Sequence, residues 1–154
     1  MLSVVTITPD DDLDQITEQI NSAQWDEANA LEIYTPSALA KYLASEGAVF
    51  VACYDISANT RTFCGMASAR ILLKPYEHET WLYVDEVDVC VDQRQKGAGR
   101  ALMRALIEIS EANDCEELWL GTEVDNFPAN ALYQSLDPDD VAQVVGYTFC
   151  SEKD

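Results

Sequence analysis

The sequence predicts an α+β fold: one mixed, mostly antiparallel sheet flanked by helices. Three observations predict it. Strand-like and helix-like periodicities follow one another as β-α-α-β-β-β-α-β-α-β. Three consecutive strand signals in the middle form a meander, where a doubly wound sheet would alternate strands with helices. The clearest β-α-β unit comes late, after residue 81, and its helix is opened by a glycine-containing basic loop.

The elements follow in order. Residues 3–8 are β-branched and alternating, and Pro9 ends that strand. Asp10–Asp12 form an N-cap cluster for a helix carrying Leu13, Ile16 and Ile20 on one stripe. Thr35 as cap, Pro36 in the first turn and Gly47 after the end bracket a helix at 37–45. Ala48–Tyr54 is a continuous apolar strand, 55–60 a turn that includes Ala58, and Thr62–Leu73 the return strand of a hairpin. A loop from Pro75 through Glu77 to Glu79 leads into a long strand, Trp81–Val91. Gly97–Asn113 is an amphipathic helix with Leu102, Leu106 and Ile109 on one stripe. Glu117–Glu123 is a strand, Pro128–Leu136 a helix, and Ala142–Cys150 a last strand.

The chain of 154 residues fits one domain, 1–154, which at that size buries roughly 68–70% of its unfolded surface. Nine basic residues against 28 acidic ones leave a net charge of −19, which repels phosphate backbones and anionic lipid and so argues against nucleic acid and membrane as partners. The acids are spread along the chain, as general solubility or high-salt adaptation would require; attraction of a cationic substrate is the functional alternative. No apolar run approaches the ~18 residues needed to cross a bilayer, and the N-terminus lacks the basic flank of a secretory signal. Five cysteines, an odd number with no paired spacing, read as reduced and mostly buried thiols in a cytoplasmic protein. The single histidine, His78, lies between Glu77 and Glu79 in a loop and reads as solvated, so no metal site is expected.

The segment from Val87 to Arg100 carries the chemistry. A strand runs into Arg94-Gln95-Lys96-Gly97-Ala98-Gly99-Arg100 at the start of a helix. Helix N-termini expose unpaired N–H groups and partial positive charge, and glycines let an anion approach the backbone. Arg94, Lys96 and Arg100 place three of the nine cations within seven residues, a local concentration that fits a pyrophosphate. A P-loop is absent, and Leu102 occupies the third glycine position of a dinucleotide loop. A glycine-capped helix start with no ligand is the structural alternative.

Arg94-x-x-Gly97-x-Gly99, preceded by Val87 and Val89, and followed by a helix that carries Asn130-Ala131-Leu132-Tyr133, with Tyr133 36 residues after Gly97, resembles the GNAT acetyltransferase superfamily. Residues 73–77, 82–87 and Pro128-Ala129 are similar to GNAT-type aminoglycoside 3-N-acetyltransferases, with likeness running from about 36 to 150. Asp137 stands where that pattern has glycine, and Pro138–Val145 departs from it.

The resemblance implies a GNAT-like acyl-CoA acyltransferase fold and acetyl-CoA as cosubstrate, held by main-chain groups of Val89 and Val91, by Arg94, Gln95, Lys96, Gly97, Ala98, Gly99 and Arg100, and by Asn126, Asn130 and Tyr133. It implies that the fourth and fifth strands splay apart around the pantetheine arm. It makes Tyr133 the acid that protonates the departing sulfur; packing on the apolar stripe with Ala129 and Leu132 is the alternative. Glu86 matches the acidic position before the apolar-x-Val pattern of Val87 and Val89 and is the expected base for a cationic amine, with Asp88, Glu123 and Asp125 as substrate-binding acids; each also reads as an ordinary rim charge. Strand alternation sets Glu86, Asp88 and Cys90 on one face, and Asp85, Val87, Val89 and Val91 on the other, taken as the core face. An aminoglycoside is the first acceptor implied, with polyamines, amino acids and protein N-termini as alternatives and a non-catalytic acyl-CoA sensor as the contrasting class. The resemblance also admits a homodimer.

Overall fold

The sheet of the computed structural model has five strands in the order β1-β2-β3-β4-β5. The structure describes residues 1–27, 31–57, 59–76 and 78–152; Ala58 and Glu77, named above, lie outside them. β1 is Leu2–Thr6, β2 Ala48–Ser57, β3 Thr60–Leu73, β4 Thr80–Val89 and β5 Glu117–Trp119. The first three pairings are antiparallel and β4–β5 is parallel, the mixed sheet that the element order predicts. The helices are α1 Leu13–Ser22, α2 Pro36–Ala44, α3 Ala98–Ala112 and α4 Phe127–Gln134. Asp12, Thr35 and Asn126 cap α1, α2 and α4 through side-chain oxygens that accept main-chain N–H bonds. The chain divides into two compact units, 1–120 and 121–154.

In the first unit both faces of the sheet are buried. Ile16, Ile20 and Leu39 from α1 and α2 pack with Phe50, Ala52, Tyr54 and Met66 of the sheet. Leu102, Met103 and Leu106 form the buried stripe of α3. Cross-strand partners share a face. Phe50, Ser68 and Glu86 are in register, as are Ala52, Met66 and Asp88, so Glu86 and Asp88 lie on the α1–α2 side.

Two expected strands come out differently. The strand expected at 117–123 pairs over three residues only. Ala142–Cys150 forms no strand: Val144, Val145, Tyr147 and Phe149 are exposed. Alternation marks a segment that can be half buried, but a strand also needs a ladder partner, and this segment has none among the described residues.

Gly47 follows α2 as expected but serves more than a stop. Its φ is +77°, and an added Cβ would sit 2.2 Å from the Ile71 carbonyl oxygen, whose own residue donates its N–H to the Gly47 carbonyl at 2.8 Å. Gly47→Ala is therefore expected to destabilise the fold by about 2 kcal/mol or more in chemical denaturation, because side-chain strain at positive φ and a backbone clash add.

Candidate functional site

β4 builds one wall of the site, and its regular alternation breaks midway. Ala69 pairs with Val84, but Ser68 pairs with Glu86, leaving Asp85 as the extra residue of a β-bulge. Bulges re-aim side chains. Asp85 and Glu86 are both exposed, whereas Leu82, Val84 and Cys90 are buried. This corrects the face assignment made from alternation. Asp85 does not continue the valine row, both faces are core faces, and Val91 lies beyond the end of the strand, in a 3-10 turn at Val91–Gln93.

The main chain of β4 parts from β5 early. Their ladder covers only Trp81–Tyr83 against Glu117–Trp119. The Cys90 N–H donates to the Cys64 carbonyl at 2.8 Å. The neighbouring pair, Val89 with Gly65, is then a non-hydrogen-bonded one, and the Val89 N–H and C=O face away from β3. They face the side on which the ladder has ended. Val91 differs from expectation: its N–H donates to the Gln24 carbonyl at 2.8 Å, so that donor is already spent.

The loop into α3 bends through two left-handed residues, Gln95 at φ 64° and Gly97 at φ 88°. α3 starts without a side-chain cap and without an acid in its first turn. Its first main-chain bond closes from Ala101 N–H to the Gly97 carbonyl, so the amides at 98–100 are the ones a helix start leaves without intrahelical partners. A Cβ on Gly97 would meet only the Leu2 Cδ1, at 3.9 Å. Space inside the protein does not demand glycine there; the backbone angle does, and it leaves the approach open. The Arg94 Nη2 donates to Asp26 Oδ2 at 2.9 Å, and Lys96 Nζ to Gln93 Oε1 at 2.8 Å. Asp26, 68 positions away, is a partner that no local pattern announces. These groups fit an anionic diphosphate: uncapped amides, an open glycine, and cations at the rim.

A cavity of about 230 Å³ on the α1–α2 face of the sheet is lined by Glu32, Tyr34, Thr35, Tyr42, Phe50 and Ser68, among others. Ser68 is Glu86's cross-strand partner. Asn21 clamps the Tyr34 main chain, accepting from its N–H at 2.9 Å and donating to its carbonyl at 2.8 Å. Burial and the charges of Glu86 and Asp88 push the Tyr34 hydroxyl up to about 12, keeping it a donor. Burial first, then the Glu86 carboxyl, pushes Asp88 up to about 6. Asp88 Oδ2 is buried with no hydrogen-bond donor. Farther along the same face, Trp81 and Tyr83 stack at 5.9 Å, Trp119 lies tilted 5.9 Å from Tyr83, and Lys74 Nζ sits 4.2 Å from the Trp81 ring centre. Sequence reading missed Tyr34 and this aromatic row. Tyr34 precedes the Thr35 cap with nothing local to tie it to β4, and the two tryptophans read as ordinary strand residues.

Cys90 is buried, and desolvation pushes its thiol up to about 12, so it is no nucleophile at neutral pH.

In the second unit, Asn126 caps α4. The Asn130 amide donates to the Glu123 and Asn126 carbonyls at 3.0 and 2.8 Å, holding the loop that carries the exposed Glu123 and Asp125. Both asparagine side chains are thus engaged within the unit. Tyr133 is half-buried on α4.

Comparison with known proteins adds three findings. A model described as the acetyltransferase (GNAT) family matches residues 11–137. N-acetyltransferase family 8 member 3 of Mus musculus is 25% identical over 95 residues, 62% of this chain and 40% of that protein, so the chain spans less than half the length of the curated relatives it matches. Among solved structures, an aminoglycoside acetyltransferase from an uncultured soil metagenomic sample, in complex with trehalose, superposes with a TM-score of 0.81 at 19% identity, covering 98% of this chain and 97% of that one. A ribosomal-protein-alanine N-acetyltransferase from Brucella melitensis biovar Abortus 2308 gives 0.71 at 18% identity, with 96% and 99% covered. At these identities the likeness extends to the fold.

Proposed function

Because the chain belongs to the GNAT acetyltransferase family, we propose that it moves an acetyl group from acetyl-CoA to a cationic small-molecule amine. One observation carries the reading: beyond Tyr83 β4 has no β5 partner, and its chain runs on past Val89 into an uncapped, glycine-led helix start. Acetyl-CoA would supply the acetyl group as a thioester. The amides of 98–100, with Gln95, Lys96 and Arg94 at the rim, would hold its diphosphate, and the outward N–H of Val89 would polarise the thioester carbonyl as an oxyanion donor does. The ammonium of the acceptor gives a proton to the carboxyls at Glu86 and Asp88; the freed nitrogen forms the C–N bond as the C–S bond breaks. We assign Tyr133 the proton returned to sulfur, and Glu123 and Asp125 further contacts to the cationic acceptor.

The acid pair and the aromatic row on one face of β4 favour an acceptor that carries more than one ammonium group, since ammonium groups bind carboxylates and ring faces alike. An aminoglycoside meets that description. A protein N-terminus is the second reading, and a coenzyme-binding sensor the contrasting one.

Thiol release from acetyl-CoA across a panel of aminoglycosides, polyamines, amino acids and N-terminal peptides tests the proposal. Release with an aminoglycoside is the expected result; tight binding with no release under any amine would turn the reading to a sensor. Tyr133→Phe is expected to lower kcat at least tenfold with acetyl-CoA affinity changed less than twofold, measured by steady-state kinetics and calorimetry.

A further inference from the structure

The least explained atom of the site is Asp88 Oδ2, buried with no donor facing it. Buried polar atoms without partners are rare and call for an explanation. The bulge supplies one. By leaving Asp85 out of register, it sets Glu86 and Asp88 in successive places on the α1–α2 face, against Ser68 and Met66. Two residues apart on one strand face, the two carboxyls stand as neighbours on the same side of the sheet. Two carboxylates have no proton to share; a carboxyl and a carboxylate have one, and the orphan oxygen then gains a partner.

We propose that Glu86 and Asp88 act as one proton-holding pair, in which exposed Glu86 meets the amine and Asp88, beneath it, is the positioning residue that gives the pair its appetite for a proton. This rests on the acetyl-transfer reading of the same site. The groups facing the pair are the Tyr34 hydroxyl from the α1–α2 connection, and Ser68 and Met66 from β3. Tyr34 stays protonated and serves as a fixed donor. The substrate R–NH3⁺ loses one proton to the doubly ionised pair, whose charge falls from −2 to −1. The amine lone pair then forms the C–N bond and the C–S electrons leave on sulfur. The second nitrogen proton replaces the one that sulfur takes up. The pair releases its proton to water, leaving the one net proton that amide formation from an ammonium produces.

The test is a pH titration read in two ways. In the unliganded protein with carboxyl-13C aspartate and glutamate, the Asp88 signal is expected to titrate near 6, and in Glu86→Gln to move about one pH unit or more towards the ordinary carboxylate range. In Asp88→Asn, which keeps shape and offers Glu86 a donor, the acidic limb of kcat/KM is expected to move about one unit to lower pH, since a like charge has been removed. Asp85→Asn, one residue away on the bulge, is expected to leave the limb where the parent has it. Stability gives a third reading. Asp88's proton affinity is raised by folding, so its ionised form is penalised in the native state as pH rises from about 4 to about 6. The melting temperature of Asp88→Asn relative to the parent should therefore climb across that window. An Asp88 signal that ignores Glu86→Gln, or a limb unmoved by Asp88→Asn, overturns the pair. Should no amine be acetylated, the carboxyl titration and the melting difference still decide it, so the failure of one reading is not mistaken for that of the other.

Discussion

Gly97→Asp is expected to fold, at a cost of about 1 kcal/mol for a side chain at positive φ, and to bind acetyl-CoA about a hundredfold more weakly. Folding should survive because aspartate tolerates left-handed backbone better than most residues, and because an acid at a helix N-cap is favourable. The added Cβ meets nothing closer than Leu2 Cδ1 at 3.9 Å. The loss is electrostatic and local. A carboxylate about 5 Å from one phosphate charge, at an effective dielectric of ~20, repels it by about 3 kcal/mol, which is about two orders of magnitude in affinity. The new side chain would also bond the very amides that the diphosphate needs. Calorimetric titration with acetyl-CoA, paired with a melting curve, separates the effects: a cooperative melt with parental affinity would remove residues 94–100 from the coenzyme site.

Glu86→Gln carries the second large effect. The substitution preserves volume and hydrogen-bonding shape but cannot accept a proton. General-base removal costs about 10²- to 10⁴-fold, so kcat with an amine acceptor should fall by that order at pH 7, with acetyl-CoA affinity unchanged. The deficit has a signed pH dependence. An alkyl ammonium with a pKa of about 10 supplies its own free amine as pH rises. The gap between variant and parent should therefore narrow between pH 7 and pH 9.5. A gap that stays constant across that range would assign Glu86 to charge attraction alone.

How much of this was legible in the chain differs from element to element. α3 was readable because Leu102 and Leu106 recur at helical spacing after a glycine loop, and the meander because its apolar strands are long and separated by turn residues. The Asp85 bulge was not, since two adjacent acids satisfy either register and only pairing with Ser68 and Ala69 decides it. Period-two text at 142–150 described a surface able to bury one side, without naming a neighbour to bury it against. The glycine loop was legible as a glycine-led helix start, while Gln24 taking the Val91 amide and Asp26 taking Arg94 are pairings between distant positions that composition does not encode. The clamp of Asn21 on the Tyr34 backbone is likewise a pairing between separated positions.

The placement of the five sulfurs has a practical consequence. Cys53, Cys64 and Cys90 are within 1% of fully inaccessible, and Cys115 is partly covered, but Cys150 is exposed in the C-terminal run. Thiol reagents attack accessible thiolates, so a maleimide dye added briefly near neutral pH should mark Cys150 first. The unaltered chain thus brings its own attachment point for a fluorophore or spin label, sited in the stretch beside Tyr147 and Phe149, whose environment on adding coenzyme or amine can then be followed without engineering a residue.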